Sequence, residues 1–185
     1  MGIFGKIFGS PMARQLKQAA ERGDASEQVT IGIMYNRGNG VRQDYAEALK
    51  WYKLAAAQGD EDAQLFAADK YRDGEGVVQD YAEAAKWYKL AAKQGQVRAQ
   101  CNIGNMYDDG EGVVQDYAEA LKWFKLAAAQ GDSNAQVSIG NMYRSGKGVP
   151  QDYAEALKWY KLAAAQGNII AKVHIDMMNS RGQGG

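Results

Sequence analysis

The chain of 185 residues contains one cysteine, one histidine and only two prolines. A lone cysteine, Cys101, cannot close an intramolecular disulfide, so nothing in the composition calls for an oxidising compartment. A lone histidine, His174, leaves no second imidazole for a histidine-based metal site or a multi-histidine catalytic set. Neither sign of charge prevails: Lys+Arg and Asp+Glu each number 22, and no basic run is present, which argues against a nucleic-acid partner. No stretch approaches the roughly 20 apolar residues of a membrane-spanning helix. The apolar part of the opening MGIFGKIFGSP is too short and too broken by glycine for a usual secretory leader, so the expected location is cytoplasmic.

What the chain has in quantity is glycine, 22 residues of it, and the glycines are periodic. Gly59, Gly95, Gly131 and Gly167 are spaced by 36, as are Trp51, Trp87, Trp123 and Trp159, and Tyr35, Tyr71, Tyr107 and Tyr143. The segment QDYAEALKWYKLAAAQG is identical at 43–59 and 151–167; at 79–95 and 115–131 it recurs with three substitutions in all, Ala85, Lys93 and Phe124. Four full units are thus expected at 24–59, 60–95, 96–131 and 132–167. Residues 12–23 match the second half of a unit and 168–181 the first half of another, leaving an apolar N-terminal segment at 1–11 and a tail at 182–185.

Each unit reads as two helices. Asp44 is a good N-cap with Glu47 at the capping-box position, and Gly59 stops the helix. Tyr45, Ala48, Trp51, Tyr52, Ala55 and Ala56 recur at helical spacing as an apolar stripe, with Glu47, Lys50 and Lys53 on the opposite face. In the preceding helix of the third unit, Ala99, Ile103, Gly104, Met106 and Tyr107 form the packing stripe. Gly104 and Gly140 fall inside helices, where glycine costs about 0.5–1 kcal/mol against alanine; the cost implies that a neighbouring helix or ring passes very close. Ala68 holds the matching place in the second unit. One helix pair cannot bury rings this large, whereas stacked pairs can. The expected fold is all-α: a right-handed α/α superhelical solenoid of antiparallel helix pairs with a 36-residue repeat, in about eleven helices.

The pattern AQxxIGNMYxxGxGVxQDYAEALKWYKLAAAQG, seen at 99–131 and 135–167, resembles the SEL-one-like repeat family, relatives of the tetratricopeptide repeats. The resemblance covers roughly 12–181 and implies a non-enzymatic adaptor or scaffold. Some secreted members carry a cysteine pair in each repeat, and a hydrolase activity is attributed to some of those; this chain lacks the pairs. A hydrolase and a self-assembling structural element stand as alternatives. No cofactor is implied, and the oligomeric state stays open.

Other motifs have plainer readings. The glycine pairs Gly38/Gly40, Gly74/Gly76, Gly110/Gly112 and Gly146/Gly148 follow helices rather than strands and lack the rest of a phosphate loop, so helix termination explains them. The acidic loop at 108–116 fails as a calcium loop, because aligning Gly110 puts Tyr107 on a required ligand position. His174 reads as a surface residue, and Cys101 as a small apolar packing residue. Ile3, Phe4, Ile7 and Phe8 share one helical face, for which docking over the first helix and contact with a membrane surface are both open.

Function should lie where the repeats differ. In the first helix of each unit the varying positions are spaced by four, three and four, and so share a face. They read Ser26, Thr30, Ile33, Arg37; Asp62, Phe66, Asp69, Asp73; Arg98, Asn102, Asn105, Asp109; and Asn134, Ser138, Asn141, Ser145. First helices line the concave surface in related solenoids, and asparagine amides can pair both donor and acceptor of a peptide backbone. The candidate partner-binding set is Phe66, Asp69, Asp73, Arg98, Asn102, Asn105, Asp109, Asn134, Ser138 and Asn141, with a protein or peptide as ligand. The second unit departs further: Ala67 stands where Ile31, Ile103 and Ile139 recur, and Lys70 where Met34, Met106 and Met142 recur. Phe66 either repacks that gap or serves as an exposed anchor.

Overall fold

The computed structural model describes residues 11–183, so the N-terminal apolar segment and its two readings lie outside the described residues. Among the described residues there are ten helices and no strand: α1 (Pro11–Glu21), α2 (Ala25–Arg37), α3 (Tyr45–Ala57), α4 (Glu61–Asp73), α5 (Tyr81–Lys93), α6 (Val97–Asp109), α7 (Tyr117–Ala129), α8 (Ser133–Ser145), α9 (Tyr153–Ala165) and α10 (Ile169–Ser180). The chain divides into two compact units, Met1–Gln96 and Val97–Gly185. In the first, α2 pairs with α3 and α4 with α5, while α1 packs on α2 and α3 on α4. In the second, α6 pairs with α7 and α8 with α9, while α7 packs on α8 and α9 on α10. This is the α/α solenoid arrangement.

The periodic aspartates set the helix starts. Asp44 and Asp80 in the first unit, and Asp116 and Asp152 in the second, each accept a hydrogen bond from the backbone N–H three residues on. The reciprocal half of a capping box does not form. The Asp44 N–H donates instead to the Tyr35 carbonyl at 3.0 Å, and Glu47 pairs with Lys50. The same long-range bond recurs from Asp80 to Tyr71, Asp116 to Tyr107 and Asp152 to Tyr143, each at 2.9 Å. It fixes the loop between the two helices of a pair.

The glycine pairs act in that loop. Gly74 (φ 71°) caps α4 in the left-handed conformation, its N–H returning to the Lys70 carbonyl. Gly76 (φ 75°) passes so close to the backbone of Tyr45 and Ala46 that no side chain fits.

The helical glycines receive rings. A Cβ at Gly104 would lie 2.7 Å from the Phe124 ring, and one at Gly140 would lie 2.6 Å from the Tyr160 ring. Gly32 meets the Tyr52 ring in the same way. These rings are among the largest fully buried side chains, so the lost helix propensity is returned as apolar burial. Ala68, fully buried, holds the equivalent place in α4.

The core is wider than the expected stripe. Leu49, Ala85, Leu121 and Leu157 are buried too, while Trp51, Trp87 and Trp159 are half-buried and Trp123 is buried. Glutamine completes it: Gln28, Gln64, Gln100 and Gln136 are buried, and each accepts a 2.9 Å bond from the amide of Gln58, Gln94, Gln130 and Gln166 respectively. Gln28 and Gln64 donate in turn to the Ala20 and Ala56 carbonyls. A buried amide is tolerable only when paired in this way.

The departures in the second repeat, 60–95, repack locally. Phe66 lies against Tyr52, with ring centroids 5.1 Å apart, beside fully buried Ala67. Lys70, 6 % exposed, reaches Glu75 at 2.5 Å, and its ammonium sits 4.5 Å above the Tyr45 ring. His174 is not the surface residue expected from sequence. It is half-buried and stacked on Tyr160, with centroids 4.9 Å apart. Its repeat position faces that ring, which the sequence position near the chain's end conceals.

Three outcomes follow from this packing. Gly104→Val should lower stability by about 1–3 kcal/mol through overpacking against Phe124, read from the urea midpoint; Gly104→Ala should lie nearer the parent, as Ala68 shows that alanine can be housed. Trp123→Ala should cost about 3–5 kcal/mol in the same assay. Burial and the Arg144 charge lower the His174 pKa from its usual 6.5, so protonation opposes the folded state. An NMR titration should place its midpoint below 6.5, with this contribution to stability present above the unfolded value and lost as pH falls through 6.5 and below.

Candidate partner-binding face

The variable positions form a face on each first helix, and the three helices that carry the candidate set present it differently. On α4, in the first unit, most of the polar capacity is already engaged. Asp69 accepts the Tyr88 hydroxyl at 2.5 Å and pairs with Arg72 at 3.6 Å. Asp73 takes Arg72 in a two-point fork at 2.8 and 3.1 Å. The Tyr88 hydroxyl is driven upward in pKa by burial and by the Asp69 charge, so it stays a donor. Phe66 is half-buried and packs against Tyr52.

In the second unit, α6 carries Arg98, Asn105 and Asp109 exposed and Asn102 half-buried. Asn105 occupies the place of Asp69, but the ring that opposes it belongs to Phe124, which has no hydroxyl to donate. On α8 the hydroxyl returns: Asn141 accepts from Tyr160 at 2.7 Å. Asn134 is exposed and accepts from Asn168 at 3.1 Å, and Ser138 is half-buried. Phe124 for tyrosine thus leaves Asn105 as the amide at this offset without a ring hydroxyl to bind.

Ser138 and Asn141 also line a cavity of about 270 Å³ whose floor is Phe124 and Met142. Its walls include Ser145, a variable-face position, and Asp108, Arg144 and Lys147, which are not. Lys147 pairs with Asp108 at 3.7 Å and lies 5.1 Å from the Tyr117 ring centroid. The Arg144 Nε donates to the Tyr160 hydroxyl at 3.2 Å. A usable signal was present, because the offset holding Asn36, Arg72, Asp108 and Arg144 varies as freely as the chosen four. Arg98, Asn102, Asn105 and Asp109 do not line this cavity.

The groups with reactive potential are quenched. Burial, together with the charge of Asp132 and a hydrogen bond to it, pushes the Cys101 thiol up to about 12. The thiol therefore stays protonated and weakly nucleophilic at neutral pH. His174 is committed to its stack on Tyr160. No described helix is long and apolar enough to cross a membrane.

A model of the Sel1 repeat matches the chain at 31–60, 61–96, 97–132 and 133–168. No curated protein matches it. Among solved structures it is similar to a protective antigen of uropathogenic Escherichia coli strains with an SLR fold, at 46% identity and a TM-score of 0.88, over 91% of this chain and 36% of that one. The chain therefore spans about a third of that antigen's length. It is similar to a Sel1 repeat protein from Oxalobacter formigenes at 32% identity and a TM-score of 0.87, over 92% of this chain and 70% of that one. An immunity protein from Pseudomonas aeruginosa is more distant, at 25% identity and a TM-score of 0.50, over 89% of this chain and 61% of that one. With four repeats matched over 31–168, the chain belongs to the Sel1 repeat family, whose members are generally protein-interaction scaffolds.

Proposed function

We propose that this chain is a non-enzymatic scaffold that binds a protein or peptide along the first-helix face. The observation that carries the reading is the contrast between two faces of near-identical repeats. On the second helices, Lys50–Glu47, Lys86–Glu83, Lys122–Glu119 and Lys158–Glu155 repeat one ion pair without variation. Exposed pairs of this kind carry little energy and no discrimination. On the first helices the side chains change from repeat to repeat, and in the second unit Arg98, Asn102, Asn105, Asp109, Asn134, Ser138 and Asn141 offer both donors and acceptors. In the first unit Phe66, Asp69 and Asp73 belong to the same face, with their capacity mostly turned inward.

The quenched thiol and the stacked imidazole support a binding role over a hydrolytic one. A single cysteine accords with a cytoplasmic setting.

Affinity purification with the intact chain as bait identifies the partner, and substitutions then assign the face. Asn105→Ala and Arg98→Ala, both exposed, should leave the helical spectrum and melting temperature unchanged. Each should weaken binding by about 0.5–1.5 kcal/mol in isothermal titration calorimetry. Lys50→Ala and Lys122→Ala should leave the affinity as it was. The opposite result moves the interface to the second-helix face.

A further inference from the structure

At two positions equivalent to the 270 Å³ cavity floored by Phe124, those at Tyr52 and Tyr160, an aromatic side chain of the chain itself packs on the ring; after Tyr88 the equivalent residue is Asn102. In these two cases the packing side chain stands fourteen residues after the buried ring. After Tyr52 it is Phe66, packed on the ring at a centroid distance of 5.1 Å and an interplanar angle of 47°. After Tyr160 it is His174, stacked at 4.9 Å and 23°. After Phe124 it is Ser138, which has no ring to place there. The site one repeat on from the Phe124 cavity is lined by Arg144, His174, Met177, Met178, Arg181 and Gln183, and it leaves about 0 Å³. Those residues stand 36 positions after Asp108, Ser138, Asn141, Met142, Ser145 and Lys147, so the two sites are the same place in successive repeats. One is closed by an aromatic side chain, and the other lacks that side chain.

We propose that the Phe124 cavity is a slot for one aromatic side chain of the bound partner, entering where Phe66 and His174 enter the equivalent sites from within the chain. The size fits a single side chain rather than a larger ligand, since small-molecule pockets usually start near 300 Å³. The rim suits an aromatic ring as well. Lys147 is matched by Asp108, whereas no described carboxylate lies within ion-pair distance of Arg144, and a guanidinium attracts the face of an aromatic ring. Asn141 and Ser145 supply polar groups at the edge, which a phenol or a peptide amide beside the ring can use.

The slot rests on the partner-binding reading, but it can be tested without a partner. The probe is N-acetyl-L-phenylalaninamide, titrated into the full 15N-labelled chain and followed by two-dimensional NMR, with N-acetyl-L-leucinamide as control. The phenylalanine amide should shift the backbone resonances of Ser138, Asn141 and Ser145 in a saturable way. The leucine amide should bind about fivefold more weakly, the ratio expected of ring-specific contact. Ser138→Phe and Ser138→His place in this repeat the side chains that fill its counterparts. Both should keep a helical spectrum and a melting temperature at or above the parent's, and both should abolish the shifts. Shifts that persist in either folded variant overturn the proposal. So does an absence of localised shifts in the parent, or equal binding of the two amides. If the slot takes the ring but Asn105→Ala and Arg98→Ala leave partner affinity unchanged, the slot stands and the wider face assignment falls.

Discussion

The fold depends on the approach of a ring to a bare stretch of helix backbone. In α2, α6 and α8 a glycine removes the one methyl that would hold the paired helix away, and Tyr52, Phe124 and Tyr160 settle against the gap. Everything nearby is set by that distance. It brings Leu49, Leu121 and Leu157 into the core and carries the Tyr160 hydroxyl within reach of Asn141. It also leaves the outer side of each ring facing the next first helix in the array, where Phe66, Ser138 or His174 finishes the contact. A local deficit in helix propensity is thus the condition for tertiary packing, as expected where tertiary burial outweighs intrinsic preference.

Tight packing of helices strands polar groups, and the chain deals with these by repetition. The glutamine near the start of each first helix would be a liability in a dry seam. Paired with the glutamine that caps the following helix, it becomes a fixed bond inside the core. The loops follow the same rule, the N–H of each capping aspartate being taken up by the tyrosine carbonyl of the preceding helix. These bonds span nine residues in the loops and thirty across the helix pairs, so they align whole helices and not merely turns.

That difference in span separates what could be read in the sequence from what could not. Period, helix ends and the close approach at Gly104 and Gly140 are written locally, as spacing, capping residues and an otherwise costly glycine. The capping box at Asp44 was legible only in half, because Glu47 had a stronger local partner in Lys50 and the aspartate N–H a more distant one in Tyr35. The bond from Tyr88 to Asp69 joins residues nineteen apart on different helices, and nothing at either position announces it. The variable face was found by comparing repeats. The inward commitment of Asp69 and Asn141, and the placing of Arg144 and Lys147 beside the cavity, arise from contacts between helices that no local pattern encodes. His174 illustrates the limit well: as a lone histidine near the end of the chain it looks peripheral, yet its offset is that of Phe66.

The uniformity of the glutamine seam separates what closes a repeat from what the repeat displays. Each first helix closes on its own second helix with the same amide geometry, at the same offset, whatever the first-helix face displays. Each 36-residue step therefore carries its own internal joint, and a residue exchanged on the variable face leaves that joint undisturbed. Closure within a repeat and the character of its exposed face are in this way set by different residues.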